Sequence, residues 1–256
     1  MSPLSKVPTT GIDYSDGRLA ICIRNEDSQS RVGVIDVWNE GRYLRRVMVN
    51  ECPDIHDVKI DGKNLVVVSS EQNAIIWIDI ADGTEVERKV FDGSPDSWHL
   101  NDLVKSEGEW LVSGFGNPDL IDWRSNPCGA GVIQGISSDR IVSGFTNPHS
   151  PRLRDGKLYV CNSGQNEILR CDINGQIEKR LKLLNFTRGL YLGRRNLVVG
   201  QSSHRVHGGM SSVSVVNLNS LEEVESVPVS AAEIYGIQRV PRWATKVVAR
   251  MSPSPF

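Results

Sequence analysis

A two-strand unit recurs along this chain at nearly constant internal spacing, and that repeat restricts the fold more than any other feature. Three copies are IHDVKIDGKNLVVVSS from Ile55, PHSPRLRDGKLYVCNSG from Pro148 and TRGLYLGRRNLVVGQSS from Thr187. In each, seven positions separate an apolar residue of the first strand (Val58, Pro151, Leu190) from one of the second (Leu65, Leu158, Leu197). HLNDLVKSEGEWLVSG from His99 is the same unit with one residue added, since Leu103 and Leu111 lie eight apart. A third strand follows, ending in an apolar pair, an Asp or Asn, and a turn: VIDVWNEG, WIDIADG, RCDING and VVNLNS. The side chains of Asp36, Asp79, Asp172 and Asn217 suit a backbone N–H two residues on, so they read as turn residues. A fourth run closes each unit: RYLRRVMV, EVERKV, RIVSGF, IEKRLKL and EEVESVPV.

A single unit cannot bury its own apolar faces, whereas stacked neighbours can. Four antiparallel strands repeated five times describe an all-β chain folded as a five-bladed β-propeller, with a six-bladed ring containing one degenerate blade as the alternative. No window sustains helical periodicity. The second, third and fourth blades begin near His56, His99 and His149, and the fifth near Arg188. Two stretches compete for the remaining innermost strand. EIYGIQRV from Glu233 would close a single domain over residues 1–256 by pairing the N- and C-terminal strands. TGIDYS from Thr10 also fits, because Ile12 lies seven before Leu19.

Composition removes several functions. With 29 Lys+Arg against 31 Asp+Glu and no basic block, the chain lacks the clustered cations that nucleic-acid binding requires. No stretch reaches the roughly 18 apolar residues of a membrane span, and residues 1–10 lack the apolar core of a secretory signal, so a cytoplasmic protein without a membrane partner is expected. Cys22, Cys52, Cys128, Cys161 and Cys171 have no C-x-x-C spacing and read as free thiols. The GFG at residues 114–116 and GAG at 129–131 precede no helix, which argues against a nucleotide cofactor.

In a propeller the loops before the first strand and after the second strand of every blade open at the same end of the channel. All five histidines of the chain (His56, His99, His149, His204, His207) fall in these loop classes, although blade packing needs no imidazole there. Three enzymatic readings follow. His56, His99 and His149, from consecutive blades, could share one divalent metal ion, with Asp57, Asp102 or Asn101 completing the shell. Alternatively His149, His99, Asp102 and Tyr235 carry proton transfer, while Arg188 holds a carboxylate or phosphate. Third, Asp57, Asp102 and Glu233 form a glycosidase arrangement. A non-catalytic docking platform for a protein partner is the fourth reading. Trp123 reads as an aromatic that holds its own loop, with sugar stacking or capping of the channel as alternatives.

At residues 147–152 (NPHSPR), 158–164 (LYVCNSG) and 186–190 (FTRGL) the chain resembles an uncharacterised bacterial β-propeller family, a domain of unknown function. EIYGI near the C-terminus is similar to that family's closing strand. The resemblance implies a propeller, implies no particular reaction, and marks His149, Arg152, Asn162, Ser163, Thr187 and Arg188 as motif positions. The combined expectation is a lyase, isomerase or cyclase acting on a small polar or anionic molecule at one channel mouth. Arg188, Asp57, Asn101, Arg152, Asn162, Gln201, His204 and Glu233 are the expected substrate contacts.

Overall fold

The computed structural model describes residues 9–23, 30–116, 119, 123–203, 210–249 and 251. The first blade contains β1 (Thr9–Ser15), β2 (Arg18–Ile23), β3 (Val32–Asn39) and β4 (Arg42–Asn50). The second contains β5 (Ile55–Asp61), β6 (Asn64–Ser69), β7 (Ala74–Asp79) and β8 (Glu85–Val90). In the third are β9 (Leu100–Ser106), β10 (Glu109–Gly114), β11 (Gly131–Gly135) and β12 (Ile141–Phe145). The fourth is built from β13 (Pro148–Arg154), β14 (Lys157–Asn162), β15 (Glu167–Asp172) and β16 (Ile177–Lys182). The fifth comprises β17 (Phe186–Leu192), β18 (Asn196–Ser202), β19 (Ser211–Asn217) and β20 (Glu223–Val229). Each blade is one four-stranded antiparallel sheet paired in chain order, and the five sheets form a five-bladed β-propeller.

The period of two along the strands explains the stacking. Leu65 and Val67 join the buried cluster shared with the first blade, while Val66 and Val68 join that shared with the third. Tyr159 and Cys161 likewise face the fifth blade, and Leu158 and Val160 the third. Outer strands such as β8 and β20 are mostly exposed and carry charged residues, because only their inner edge is covered. Four of the five cysteines are buried among these clusters and Cys128 is exposed; all five are free thiols. Asp79, Asp172 and Asn217 accept backbone N–H groups two residues on, at 2.7–2.9 Å. Asp36 departs from this pattern. It sits inside β3, not in a turn, and takes both ends of the Arg46 guanidinium at 2.8 and 2.9 Å.

The first blade takes its innermost strand from Thr9–Ser15, so its four strands are complete without the C-terminus. The expected pairing of N- and C-terminal strands is therefore corrected: residues 233–240 form no strand. They lie at the seam between the fifth and first blades. A Cβ on Gly189 would stand 3.1 Å from the Gly236 carbonyl carbon, a Cβ on Gly236 would touch Ile12, and Gln238 Nε2 donates to the Tyr14 carbonyl. Helix α1 (Arg242–Val248) follows, an element that the β-only expectation omitted. It buries Ala244 against Leu19, Ile21 and Trp38, and Trp243 meets Tyr14 edge-on. A fifth apolar cluster thus covers the first blade's free face. Among the described residues no helix is long and apolar enough to cross a membrane.

Candidate functional site

Every innermost strand is irregular at the same height. Register shifts fall between Thr9 and Ile12, Ile55 and Asp57, His149 and Arg152, and Arg188 and Leu190, and opposite Val112 and Gly114 in the third blade. A bulge re-aims the residues that flank it. Here it separates two adjacent positions. The earlier one holds Thr10, His56, Asn101, His149 and Arg188; the later one holds Gly11, Asp57, Asp102, Ser150 and Gly189.

The later position ties blades together. Asp57 Oδ2 accepts the Leu103 N–H at 3.0 Å, Asp102 Oδ2 the Ser150 N–H at 2.9 Å, and Ser150 Oγ the Gly189 N–H at 3.0 Å. Thr10 Oγ1 adds a bond to the Ile55 carbonyl. Bulged strands leave these N–H groups without ladder partners, and the side chains of the preceding blade supply them. Asp57 is also paired with Lys59 Nζ at 2.6 Å; burial pushes its carboxyl upward against that pull. This corrects the expected roles of both carboxylates. Neither Asp102 as a proton-transfer group nor Asp57 as a substrate contact borders the cavity, and the glycosidase trio loses two members.

The earlier position opens on a cavity of about 480 Å³ at the channel mouth. Thr10, His56, His149 and Arg188 line it, together with His99, Phe115, Trp123 and Phe186. Glu233 and Tyr235 enter from the C-terminal segment. Volume and mixed lining suit a small-molecule site. Asn101 lies behind the wall: its Nδ2 donates to the His99 carbonyl at 2.6 Å, which turns Oδ1 toward His56 Nδ1 at 3.1 Å. Asn162 and Gln201, expected at the substrate, instead fasten loops. Asn162 accepts from the Thr146 N–H and donates to Glu167, while Gln201 accepts from the Leu184 and Asn185 N–H groups and donates to Ser214. Arg152 donates to its neighbour's carbonyl, from Nη1 to Pro151, away from the lining. His204, with His207, lies outside the described residues.

The rings form an arc. His56 and His99 are 5.0 Å apart between centroids, His99 and Phe115 4.7 Å, Phe115 and His149 4.9 Å, and His149 and Phe186 5.4 Å. Phe115 touches both His99 and His149, so the arc passes from one imidazole to the other through an apolar ring. Both nitrogens of His56 are taken, Nδ1 by Asn101 and Nε2 by Asp54 at 3.2 Å. These contacts explain why the expected shared ion of His56, His99 and His149 has no assembled ligand set; among the described residues no group of three or more His, Cys, Asp or Glu is placed to hold a metal.

His149 is 2% exposed. Its Nδ1 lies 2.8 Å from Ser163 Oγ and 3.2 Å from the Asn147 carbonyl. A carbonyl only accepts, and Ser163 Oγ itself donates to the Thr187 carbonyl at 2.5 Å. Nδ1 therefore carries the proton, and Nε2 keeps its lone pair. Burial, followed by the charge of Arg188, holds the imidazole well below its usual range. His99 differs. Burial lowers it too, but Asp96 Oδ1 accepts its Nδ1–H at 2.8 Å and raises it in part. Asp96 Oδ2 also receives Trp123 Nε1 at 2.9 Å, and Trp123 stacks on His99 at 4.0 Å. Asp96 was missed in the sequence, where its signal is an acid three residues before the histidine. Trp123 holds its loop, as expected, and also forms the wall.

Arg188 is 6% exposed, and Tyr235 covers its guanidinium at 3.7 Å. Its Nε has no hydrogen-bond partner among the described residues. Burial lowers its pKa, against the influence of Tyr235, Asp102 and Glu233. The guanidinium remains charged.

Fold and site together define a five-bladed propeller with a cavity of histidines, aromatic rings and one buried arginine at the channel mouth. The chain belongs to the family described as "Domain of unknown function (DUF4915)", whose profile matches residues 38–248. No curated protein matches the sequence significantly. Several solved structures share the fold at low identity. A luciferin-regenerating enzyme superposes with a TM-score of 0.62 at 10% identity, over 91% of this chain and 79% of its own. A chain from a nidogen/laminin complex gives 0.60 at 13% identity, over 86% and 80%. A protein of unknown function from Bacteroides caccae gives 0.60 at 13%, over 88% and 82%.

Proposed function

We propose that the channel mouth is the active site of an enzyme of the lyase, isomerase or cyclase type, acting on a small anionic molecule by proton transfer. The observation that carries this reading is Arg188: a buried guanidinium on a cavity wall, with Nε unpartnered among the described residues. A buried donor is costly to leave unmade, and an anion supplies its partner. His149 serves as the base. Its Nε2 lone pair takes a proton from the substrate, whose carbon or heteroatom keeps the electron pair. Anion binding on Arg188 offsets the nearest positive charge, so the imidazole becomes more basic once substrate is present. His99, supported by Asp96, holds a proton more readily than His149 and serves as the acid. Two titratable groups whose surroundings push them apart fit such a division. The proton returned by His99 completes an isomerisation, or it leaves with a departing group in an elimination.

The test is solvent exchange. A mixed panel of carboxylic, hydroxy and keto acids is incubated with the protein in D2O and followed by NMR. Conversion, or deuterium incorporation at one position that disappears with His149→Gln, is expected. Saturable anion binding without exchange or conversion in any panel member would make the site a binding pocket only.

A further inference from the structure

We infer that the molecule this cavity takes is a monocarboxylic acid with a flat, aromatic or conjugated body, and that phosphate esters are excluded. The inference rests on the anion-binding reading of Arg188 and narrows its ligand.

Charge comes first. Arg188 and Arg124 border the cavity together with Asp54 and Glu233, so the formal charges of these four balance. Asp54 contacts His56, and Arg124 stacks on Trp123 at 4.5 Å. Burial keeps His149 from adding positive charge, and the Asp96 carboxylate on Nδ1 balances the proton that His99 holds as the acid. Among the described residues Arg188 is the one buried lysine or arginine. It compensates a single negative charge. A phosphate monoester carries close to two at neutral pH, and the surplus would be desolvated without a buried partner.

Shape agrees. Tyr235 covers one face of the guanidinium, and the buried Nε is unpartnered among the described residues. Nε–H and the adjacent Nη–H form a planar fork that matches the two oxygens of a carboxylate. The remaining wall is aromatic: Phe115, Trp123, Phe186 and Tyr235. Such rings pair with another flat ring by face or edge contacts that a saturated chain does not make.

Calorimetric titration of the full chain with four probes decides the matter: cinnamate, cinnamamide, octanoate and phenyl phosphate. Cinnamate is expected to saturate the protein, each other probe binding at least about tenfold more weakly. Phenyl phosphate binding as tightly as cinnamate would overturn the monocarboxylate assignment and leave the anion site standing. Octanoate equal to cinnamate would overturn the flat body. Cinnamamide equal to cinnamate would overturn the anion reading itself. No saturation by cinnamate below about 10 mM would overturn the inference. Arg188→Lys, checked by circular dichroism, should lose about tenfold for cinnamate because an ammonium cannot form the fork. If that variant misfolds, the wild-type comparisons still decide.

Discussion

Asp102 Oδ2 accepts the backbone N–H of Ser150 at 2.9 Å, so a carboxylate of the third blade completes the hydrogen bonding of the fourth. Asp102 is 7% exposed, and its removal would leave that N–H buried and unmet. Asp102→Ala should cost about 2–3 kcal/mol in urea unfolding, and Asp102→Asn, which keeps an acceptor, clearly less. Equal stability of Asp102→Ala and the parent would contradict the cross-blade role.

Gly189 adopts φ +72°, and an added Cβ would meet the Gly236 backbone at 3.1 to 3.2 Å. Gly189→Ala should therefore lose about 1–3 kcal/mol through strain and displace residues 233–240 from the seam. Tyr235 would move with them, so weakened anion binding should accompany the lower stability. Unchanged calorimetric affinity would separate the seam from the cavity.

Acid should destabilise the protein through His149. Its native pKa is depressed, so below about pH 6.5 the unfolded chain takes up a proton that the native imidazole refuses. Stability is full above that pH and falls as pH drops toward the native value. His149→Gln should flatten this dependence between pH 6.5 and 5, measured by denaturant midpoints, with the parent showing the steeper loss. An equally steep loss in the variant would assign the dependence elsewhere.

Asp96 raises the His99 imidazole through its bond to Nδ1. Asp96→Asn should lower the His99 pKa further in an NMR titration, and the fluorescence of the stacked Trp123 should change as its Nε1 acceptor weakens. A His99 titration identical in parent and variant would remove Asp96 from the site.

The seven-residue spacing from Val58 to Leu65 and from Leu190 to Leu197 was enough to read the blades, because stacking demands apolar residues at fixed heights on both faces. It could not tell which of two adjacent polar positions faces the cavity. Asp57 follows His56 directly, and a strand bulge, not a residue type, sends one to the next blade and the other to the mouth. In the fourth blade Ser150 adopts φ +50° without being glycine, so no letter marks the bulge there. His149 and Arg188 were legible as candidates; the unpartnered Nε and the fixed Nδ1 proton were not, since both depend on carbonyls and rings brought in from other segments. Thr9–Ser15 and residues 233–240 shared one pattern, and only the occupied edge of β2 distinguishes them.

Residues 233–235 come after all five blades in chain order, yet they supply Glu233 and Tyr235 to the cavity and lead directly into the segment that fills the seam. During synthesis the earlier blades emerge and stack first. A nascent chain can thus display His56, His99, His149 and Arg188 while lacking the ring that covers the guanidinium. The site matures only when that stretch has left the ribosome and docked, so ligand capture begins after the fifth blade has been made, not with it.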